Sequence, residues 1–224
     1  MTDGTLQKDY FDDVYDGNVD PFRLGDNWYE ERKYALTLAA LTEPRYRRAL
    51  EPGCSVGILT EKLSSRCDDL TSTDIVTSAL ETTRARLDAR TGESSGRVQL
   101  REWSLTDSWD EFDEIGPFDL IVLSEVGYYL GPADLRAALG KAVAHLEPGG
   151  TLLAVHWRHL VADYPQTGDQ VHDAIGATDG LVRMGGYVDE DVILEVFAAE
   201  SSARSESAEP TGRPESVARR EGLI

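Results

Sequence analysis

The chain has 224 residues, 41% of them hydrophobic, which is enough for one α/β domain with a full hydrophobic core. Its 41 acidic and 22 basic side chains give a formal net charge of −19, which argues against nucleic acid and anionic membranes as partners, because both are bound through Lys and Arg. No apolar run reaches the roughly 20 residues that cross a bilayer, and the acidic N-terminus shows no signal peptide, so we expect a cytoplasmic protein.

The cysteines and the acidity narrow the chemistry further. Cys54 and Cys67 lack the C-x-x-C or paired-histidine spacing of a zinc site, so we expect neither a metal nor a disulfide. Acid excess with only four lysines fits adaptation to high salt, where self-repulsion is screened, and it equally fits a protein that is simply acidic. Neither alternative changes the expected chemistry.

The first 46 residues predict a helical lid or cap. The stretch is rich in aromatic residues, including Tyr10, Phe11, Trp28 and Tyr29, and residues 29–41 show apolar side chains at helical spacing. Such a segment can pack on a sheet and cover a ligand at the same time.

From residue 47 onwards the pattern alternates strands and helices. Strands are predicted to end at residue 50 and to cover 70–74, 98–103, 118–124 and 151–156, with helices over 58–65, 78–89 and 134–146 between them. An irregular region with a short helix over 170–176 follows, and then two strands over 181–187 and 192–197.

This order predicts an α/β fold with a doubly wound, mostly parallel seven-stranded sheet of the Rossmann-like type that ends in an antiparallel hairpin. The predicted domain spans residues 47–198. Residues 199–224 are predicted to form a disordered tail, because they are rich in Ser, Ala, Glu and Pro.

The turn after the first strand carries the strongest functional signal. It reads Glu51-Pro-Gly53-Cys-Ser55-Val-Gly57, and Asp74 ends the second strand 23 positions after Glu51. A glycine turn brings the backbone close to a nucleoside, and a carboxylate about 20 residues further on accepts both ribose hydroxyls. The pair predicts a cofactor that contains a nucleoside.

The turn also discriminates among such cofactors. A nicotinamide site favours G-x-G-x-x-G, whereas Ser55 takes the place of the middle glycine here. A P-loop requires Gly-Lys-Ser/Thr, and the turn contains no lysine. A shorter, acidic glycine turn remains.

With these residues in view, the chain resembles the class I S-adenosylmethionine-dependent methyltransferases over residues 10–197. The resemblance rests on the acidic turn, Asp74, the strand at 118–130 and the Glu-Pro-Gly-Gly segment at 147–150. Residues 124–130, with Asp-Pro-Phe at 20–22 and Trp-Tyr-Glu at 28–30, are similar to the nodulation protein S (NodS-like) group. That resemblance implies N-methylation of an amino sugar on a lipochitooligosaccharide precursor.

The resemblance also implies the roles of the cofactor residues. Glu51 would hold the methionyl amino group, and Asp74 would accept the ribose hydroxyls. At the turn, the backbone of Gly53, Ser55 and Gly57 would lie against S-adenosyl-L-methionine. Ile75 and Ser104 would lie beside the adenine, Ser124 near the sulfonium, and Tyr29 would contact the cofactor from the lid.

The methyl acceptor is expected near the carboxyl ends of the fourth and fifth strands, where ligands gather in open α/β sheets. His156 and Asp169 are the first candidates for orienting or deprotonating it, followed by His172, with Glu125 across the pocket. Three of the four histidines fall within 17 residues of one strand end.

The sequence therefore predicts a small-molecule methyltransferase, with N-methylation of an amino sugar or related amine ahead of O-methylation. A catalytically inactive cofactor-binding partner protein and a nicotinamide enzyme are the alternatives. The identity of the acceptor and the oligomeric state stay open.

Overall fold

The computed structural model describes residues 4–89, 96–200 and 216–223. Its strands are β1 (Tyr46–Pro52), β2 (Cys67–Asp74), β3 (Arg97–Glu102), β4 (Phe118–Ser124), β5 (Leu146–Trp157), β6 (Leu181–Val188) and β7 (Val192–Ala199). Its α-helices are α1 (Lys8–Tyr15), α2 (Trp28–Ala40), α3 (Ile58–Ser64), α4 (Thr77–Asp88), α5 (Pro132–His145), α6 (Gly168–Gly176) and α7 (Val217–Arg220).

The strands form one sheet in the order β3-β2-β1-β4-β5-β7-β6. The pairs among β1 to β5 are parallel, whereas β7 pairs antiparallel with both β5 and β6. The predicted seven-stranded, doubly wound α/β sheet with a terminal antiparallel hairpin is confirmed. Because β1 and β4 lie side by side while their connections leave in opposite directions, a crevice opens at their carboxyl ends.

The central strand β4 shows why the sheet is covered on both faces. Leu120 and Val122 pack into the hydrophobic cluster under α2 and α3, whereas Ile121 and Leu123 pack into the cluster under α5 and α6. All four side chains are buried, which is why this strand reads as a continuous apolar run instead of alternating.

The structure moves the boundary between α5 and β5. The expected helix to residue 146 and strand from 151 become a helix that ends at His145 and a strand that begins at once with Leu146. Pro148, Gly149 and Gly150 do not separate the two elements; they form an irregularity within β5, where its register with β4 shifts. The left-handed Gly149, at φ +81°, accommodates this shift.

Residue 199, the expected first residue of the tail, belongs to the sheet instead. Ala199 is the last residue of β7 and pairs with Leu181 of β6, so it belongs to the sheet. Residues 201–215 lie outside the described part of the chain. Residues 216–223 contain α7, from which Arg220 reaches the carbonyl of Thr42 and the carboxylate of Glu43.

The N-terminal segment crosses the carboxyl end of the sheet. The Leu6 amide donates to the Tyr129 carbonyl at 2.9 Å, and the Gly131 amide donates to the Thr5 hydroxyl at 2.9 Å. Further along, α2 begins with the Asn27 side chain accepting from the Glu30 amide. Among the described residues, no helix has both the length and the apolar character that crossing a bilayer requires.

Candidate functional site

A cavity of about 430 Å³ lies over the crevice between β1 and β4. Its floor comes from the turns that follow β1, β2, β3 and β4, and its roof comes from α1, α2 and the segment between them. Of the residues predicted to bind the cofactor, the cavity is lined by Tyr29, Glu51, Gly53, Ser55, Asp74, Ile75, Ser104 and Ser124.

The glycine turn after β1 packs closely against the residues that follow β4 and the residue that ends β2. Gly53 has φ +72°, and a Cβ there would lie 2.2 Å from a methyl group of Val126, so no larger residue fits. Ser55 is also left-handed at φ +51°, and its amide donates to the Asp74 carboxylate at 2.8 Å. The turn therefore brings two backbone positions and Asp74 into one place.

Gly57 has a different role from the expected one, because it does not line the cavity. Its φ is +77°, and a Cβ there would lie 2.5 Å from the Thr83 side chain on α4. Gly57 therefore lets α3 begin with a left-handed residue and pack closely on α4. It does not face the cavity.

Glu51 is a buried carboxylate with only neutral donors around it. One of its oxygens, Oε2, accepts from the hydroxyls of Thr60 and Ser72, both at 2.7 Å. Burial raises the pKa of this carboxyl to about 7, against the lowering effect of the two hydroxyls. A cationic ammonium in the cavity would stabilise the charged form, as the predicted role requires.

Asp74 is held in place by the backbone. Its two carboxylate oxygens accept from the amides of Ser55 at 2.8 Å and Val76 at 2.9 Å. Burial raises the pKa of Asp74, and these backbone hydrogen bonds oppose the rise. A carboxylate has about four acceptor positions, so these backbone donors leave acceptor capacity for the expected ribose hydroxyls.

The part of the cavity where the adenine is expected is lined by Ile75 and by the turn after β3. Ser104 lines it next to the buried Trp103, and its amide donates to Asp107 at 2.9 Å. Asp107 does not line the cavity, so its carboxylate fixes the Ser104 turn and does not face a ligand. Ile75 supplies an apolar surface on the opposite wall.

Glu125 lies at the end of β4 with its backbone left-handed, at φ +58°. Its carboxylate accepts from Lys33 Nζ at 2.7 Å, from the Tyr128 hydroxyl at 2.6 Å and from the Trp157 amide at 2.9 Å. A strained non-glycine conformation of this kind costs roughly 1–3 kcal/mol and persists where its surroundings fix it. Three donors fix Glu125, and one acceptor position of the carboxylate is left for a ligand.

Lys33 is a residue that the sequence did not single out. Only 2% of its side chain is exposed, and its ammonium lies between the carboxylates of Glu30 and Glu125. The ammonium also lies 5.3 Å from the Tyr29 ring centre and 5.5 Å from that of Tyr34. In sequence, Glu30 and Lys33 read as an ordinary surface pair on a helix, so no local signal marks them.

Tyr29 has a buried hydroxyl without a hydrogen-bond partner among the described residues. Its ring meets the Trp157 ring edge to face, with centroids 4.9 Å apart, and the residue lines the cavity. An unpaired buried hydroxyl costs roughly 1–3 kcal/mol. A ligand in the cavity that hydrogen-bonds to the Tyr29 hydroxyl would remove this cost.

The two histidines predicted to contact the acceptor do not line the cavity. His156 lies on the same face of β5 as Leu152 and Ala154, and none of its surface is exposed. Its Nε2 accepts from the Gly127 amide at 3.1 Å, and its Nδ1 lies 3.1 Å from Nε2 of His172. The expectation of direct acceptor contact is corrected, because β5 turns this side chain towards α6 and away from the crevice.

Asp169 is likewise placed elsewhere. It lies in the first turn of α6 and accepts from the guanidinium of Arg158 at 3.0 Å. Its side chain is 45% exposed and does not line the cavity, so the expected contact with the acceptor is corrected as well. Of the four predicted catalytic candidates, only Glu125 reaches the cavity.

The cavity therefore has two differently equipped ends. One combines Glu51, the glycine turn and Asp74, which is a donor and acceptor set suited to an amino acid joined to a nucleoside. The other combines Glu125, Lys33 and aromatic side chains. The residues present fit S-adenosylmethionine at the first end.

Comparison with known proteins identifies the family of this chain. A model of the nodulation protein S (NodS) family matches residues 7–164. Nodulation protein S of Rhizobium tropici is 38% identical over 136 residues, which cover 60% of this chain and 53% of that protein, so the match spans about half of that relative's length. Nodulation protein S of Sinorhizobium fredii is 31% identical over 188 residues, covering 80% of this chain and 82% of that protein.

Two solved structures share the fold closely. The N-methyltransferase NodS from Bradyrhizobium japonicum WM9, in complex with S-adenosyl-L-homocysteine, is 26% identical with a TM-score of 0.68, covering 80% of this chain and 92% of that one. A candidate methyltransferase from Pseudomonas syringae is 38% identical with a TM-score of 0.62, covering 77% of this chain and 99% of that one. Because the family model matches well over half of it, the chain belongs to the nodulation protein S family of S-adenosylmethionine-dependent methyltransferases.

Proposed function

We propose that this protein transfers the methyl group of S-adenosylmethionine to the nitrogen of a small amine, with an amino sugar as the expected acceptor. The observation that carries the proposal is the position of Glu125 in the cavity, at the strand end next to the cofactor cradle. Its carboxylate is fixed by three donors and has one acceptor position left for an N–H group.

The charge of the cavity favours a cationic acceptor. Its described lining residues include four carboxyl groups, Glu30, Glu51, Asp74 and Glu125, and one basic group, Lys33. An acceptor that carries an ammonium is attracted to such a cavity, whereas an acceptor with a net negative charge is repelled. The amine must lose a proton before it attacks, and Glu125 is placed to accept the hydrogen bond that orients it.

S-adenosylmethionine supplies a methyl group on a positively charged sulfur. The new N–C bond forms as the S–C bond breaks, and the amine releases one proton. The protein's part is to align the nitrogen and to exclude water, which together lower the barrier without covalent chemistry.

Aromatic side chains with polar groups favour a sugar over a simple alkyl amine. Tyr29, Tyr128, Tyr129, Tyr164 and Trp157 line the wall around Glu125. Such rings offer apolar faces together with a hydroxyl or N–H at the edge, which suits a ring that has C–H faces and hydroxyl edges.

O-methylation is the second candidate, and it receives less support. A hydroxyl group needs a stronger base than an amine does, and none of the described residues lining the cavity is a histidine. The alternative of an inactive partner protein is disfavoured by the cofactor cradle, in which Glu51 and Asp74 both face the cavity.

We further propose that α1 and α2, with the segment between them, form the lid predicted for residues 1–46. The Tyr15 hydroxyl lies 2.5 Å from the Ser55 hydroxyl, so α1 closes over the glycine turn, and Lys33 ties α2 to Glu125. Both ends of the cavity are therefore completed by the N-terminal segment.

Methyl transfer to matched acceptors tests the proposal. Glucosamine oligomers with a free amino group are compared with the same oligomers in fully N-acetylated form, and the products are located by mass spectrometry. We expect one methyl group on the free amine and none on the acetylated oligomer. Methylation of both oligomers on a hydroxyl would contradict the proposal.

Glu125→Gln adds the second test. We expect it to lower kcat with the free amine about 100-fold or more, the scale of a lost proton-transfer group, while affinity for S-adenosylhomocysteine changes little. Unchanged turnover by this variant would remove Glu125 from the mechanism.

A further inference from the structure

A buried line of hydrogen bonds runs from the cavity wall to the far edge of the sheet. The Gly127 amide donates to His156 Nε2 at 3.1 Å, His156 Nδ1 lies 3.1 Å from His172 Nε2, and His172 Nδ1 lies 2.8 Å from a Glu195 oxygen. The other Glu195 oxygen accepts from Arg183 at the surface.

The pattern fixes the protons on both rings. Because His156 Nε2 accepts from an amide, its proton is on Nδ1, and Nδ1 must donate to His172 Nε2. His172 then carries its proton on Nδ1 and donates it to Glu195. Both histidines are therefore neutral, and each is held in one tautomer by the next group in the line.

The far end of the line gives it an anchor. Glu195 is on β7 and is held by Arg183 of β6, whereas His172 is on α6. Burial lowers the pKa of His156 well below its ordinary value, and the nearby ammonium of Lys33 acts in the same direction, which keeps His156 an acceptor for Gly127.

The near end controls the Gly127–Tyr129 turn. That turn follows Glu125 directly and carries Tyr128, whose hydroxyl donates to the Glu125 carboxylate at 2.6 Å. A Cβ on Gly127 would lie 2.5 Å from Val171 of α6 and 3.0 Å from His156 Nε2, so the turn sits directly against both.

We propose that His156, held by His172 and Glu195, is a positioning residue that keeps this turn in the conformation in which Tyr128 and Glu125 face the methyl acceptor. The proposal rests on the proposed function, since it takes Glu125 as the group that meets the acceptor. It explains why a strained, left-handed Glu125 persists: the backbone two residues later is fixed from outside the cavity.

Two substitutions of His156 distinguish the effect of its hydrogen-bond acceptor from the effect of its size. His156→Leu has a side chain of similar size but no acceptor for the Gly127 amide, whereas His156→Gln retains an amide oxygen that can accept. With the free-amine acceptor we expect His156→Leu to lower kcat about 10- to 100-fold, the loss that a small misplacement of reacting groups causes, with an unchanged KM for S-adenosylmethionine. His156→Gln should recover most of that loss.

Combination with Tyr128→Phe shows whether His156 acts through Tyr128. If it does, the double variant is no slower than His156→Leu alone, because the turn is already released. Additive losses, or a His156→Gln variant as slow as His156→Leu, would overturn the proposal.

Amide hydrogen exchange of residues 125–130 in the S-adenosylhomocysteine complex tests, without any acceptor, whether His156 holds the Gly127–Tyr129 turn in place. We expect faster exchange at Gly127 and Tyr128 in His156→Leu and near wild-type exchange in His156→Gln; equal protection in all three proteins would overturn the proposal. Wild-type protein that methylates no amine would contradict the proposed function and leave this comparison intact.

A further variant covers the case in which His156→Leu does not fold. His172→Phe keeps a ring in place and removes both the acceptor that holds the His156 tautomer and the donor to Glu195. We expect it to raise exchange at Gly127 and to lower kcat in the same direction, and unchanged exchange and turnover would count against the positioning role.

Discussion

Cofactor binding should be coupled to the loss of a proton from Glu51. The free protein holds this carboxyl with a pKa of about 7 because it is buried, and its partners are the neutral hydroxyls of Thr60 and Ser72. The ammonium of the cofactor requires the charged carboxylate. Below about pH 7 we therefore expect affinity for S-adenosylhomocysteine to fall about tenfold per pH unit, and above it to stay level.

The same carboxyl affects stability in the absence of cofactor. A pKa raised from 4.5 to about 7 means that the folded state binds the proton more tightly than the unfolded state does. Its contribution is fully present below pH 4.5 and is lost as the pH rises through 7, which amounts to about 3 kcal/mol at 1.36 kcal/mol per pH unit. Glu51→Gln cannot ionise, so at pH 8 it should be more stable than the wild type by up to about that amount.

Titration calorimetry of S-adenosylhomocysteine from pH 5.5 to 8, in buffers of different ionisation enthalpy, measures both affinity and proton release. We expect about one proton released near pH 6 in the wild type and a much flatter profile in Glu51→Gln, with weaker binding at pH 8. Glu147→Gln is the matched control, since this carboxylate pairs with Arg47 and Arg48 near the start of β5. A level wild-type profile, or the full slope in Glu51→Gln, would refute the reasoning.

Three further substitutions test other parts of the site, and a fourth, Gly140→Ala, is a control outside it. Asp74→Ala should abolish the thermal shift produced by S-adenosylmethionine or S-adenosylhomocysteine, and a full shift would contradict the ribose contact. Lys33→Met removes the buried cation that pairs with the buried Glu30 and the partly buried Glu125, and it should lower the free energy of unfolding by about 3–5 kcal/mol in urea titration; a loss below 1 kcal/mol would contradict a buried ion pair. Gly127→Ala introduces a Cβ 2.5 Å from Val171 and should destabilise by about 1–3 kcal/mol, whereas Gly140→Ala, in the exposed face of α5 with no neighbouring atom within 4 Å, should stabilise by about 0.5–1 kcal/mol.

The sequence was sufficient for the fold and for bringing Glu51 and Asp74 to one cavity, because both depend on local order along the chain. Alternating strands and helices determine a parallel sheet, and parallel strands bring their carboxyl ends to one edge. Glu51 and Asp74 each close a strand at that edge. Their convergence follows from topology alone, as does the entry of Glu125 into the cavity.

The acceptor end depended on information that the sequence pattern does not carry. His156 lies at the right strand end, but the alternation of β5 turns it to the opposite face, where α6 covers it. Lys33 was missed for the converse reason. The three-residue spacing between Glu30 and Lys33 is typical of an exposed ion pair on a helix. Lys33 is buried against Glu125 only because α2 packs across the crevice.

The two ends of the cavity differ in how their buried charge is balanced. Glu125 has its charge compensated by Lys33, a cation that the protein itself supplies, so this end is complete before any ligand enters. Glu51 has only hydroxyl donors among the described residues, and under the proposed function the ammonium of the cofactor supplies its cation. Under the proposed function, an amine meets a preformed carboxylate at one end, while the other end becomes fully charged only when S-adenosylmethionine is bound. Since burying a lone carboxylate costs several kcal/mol, this asymmetry makes the cofactor itself part of what stabilises the closed cavity.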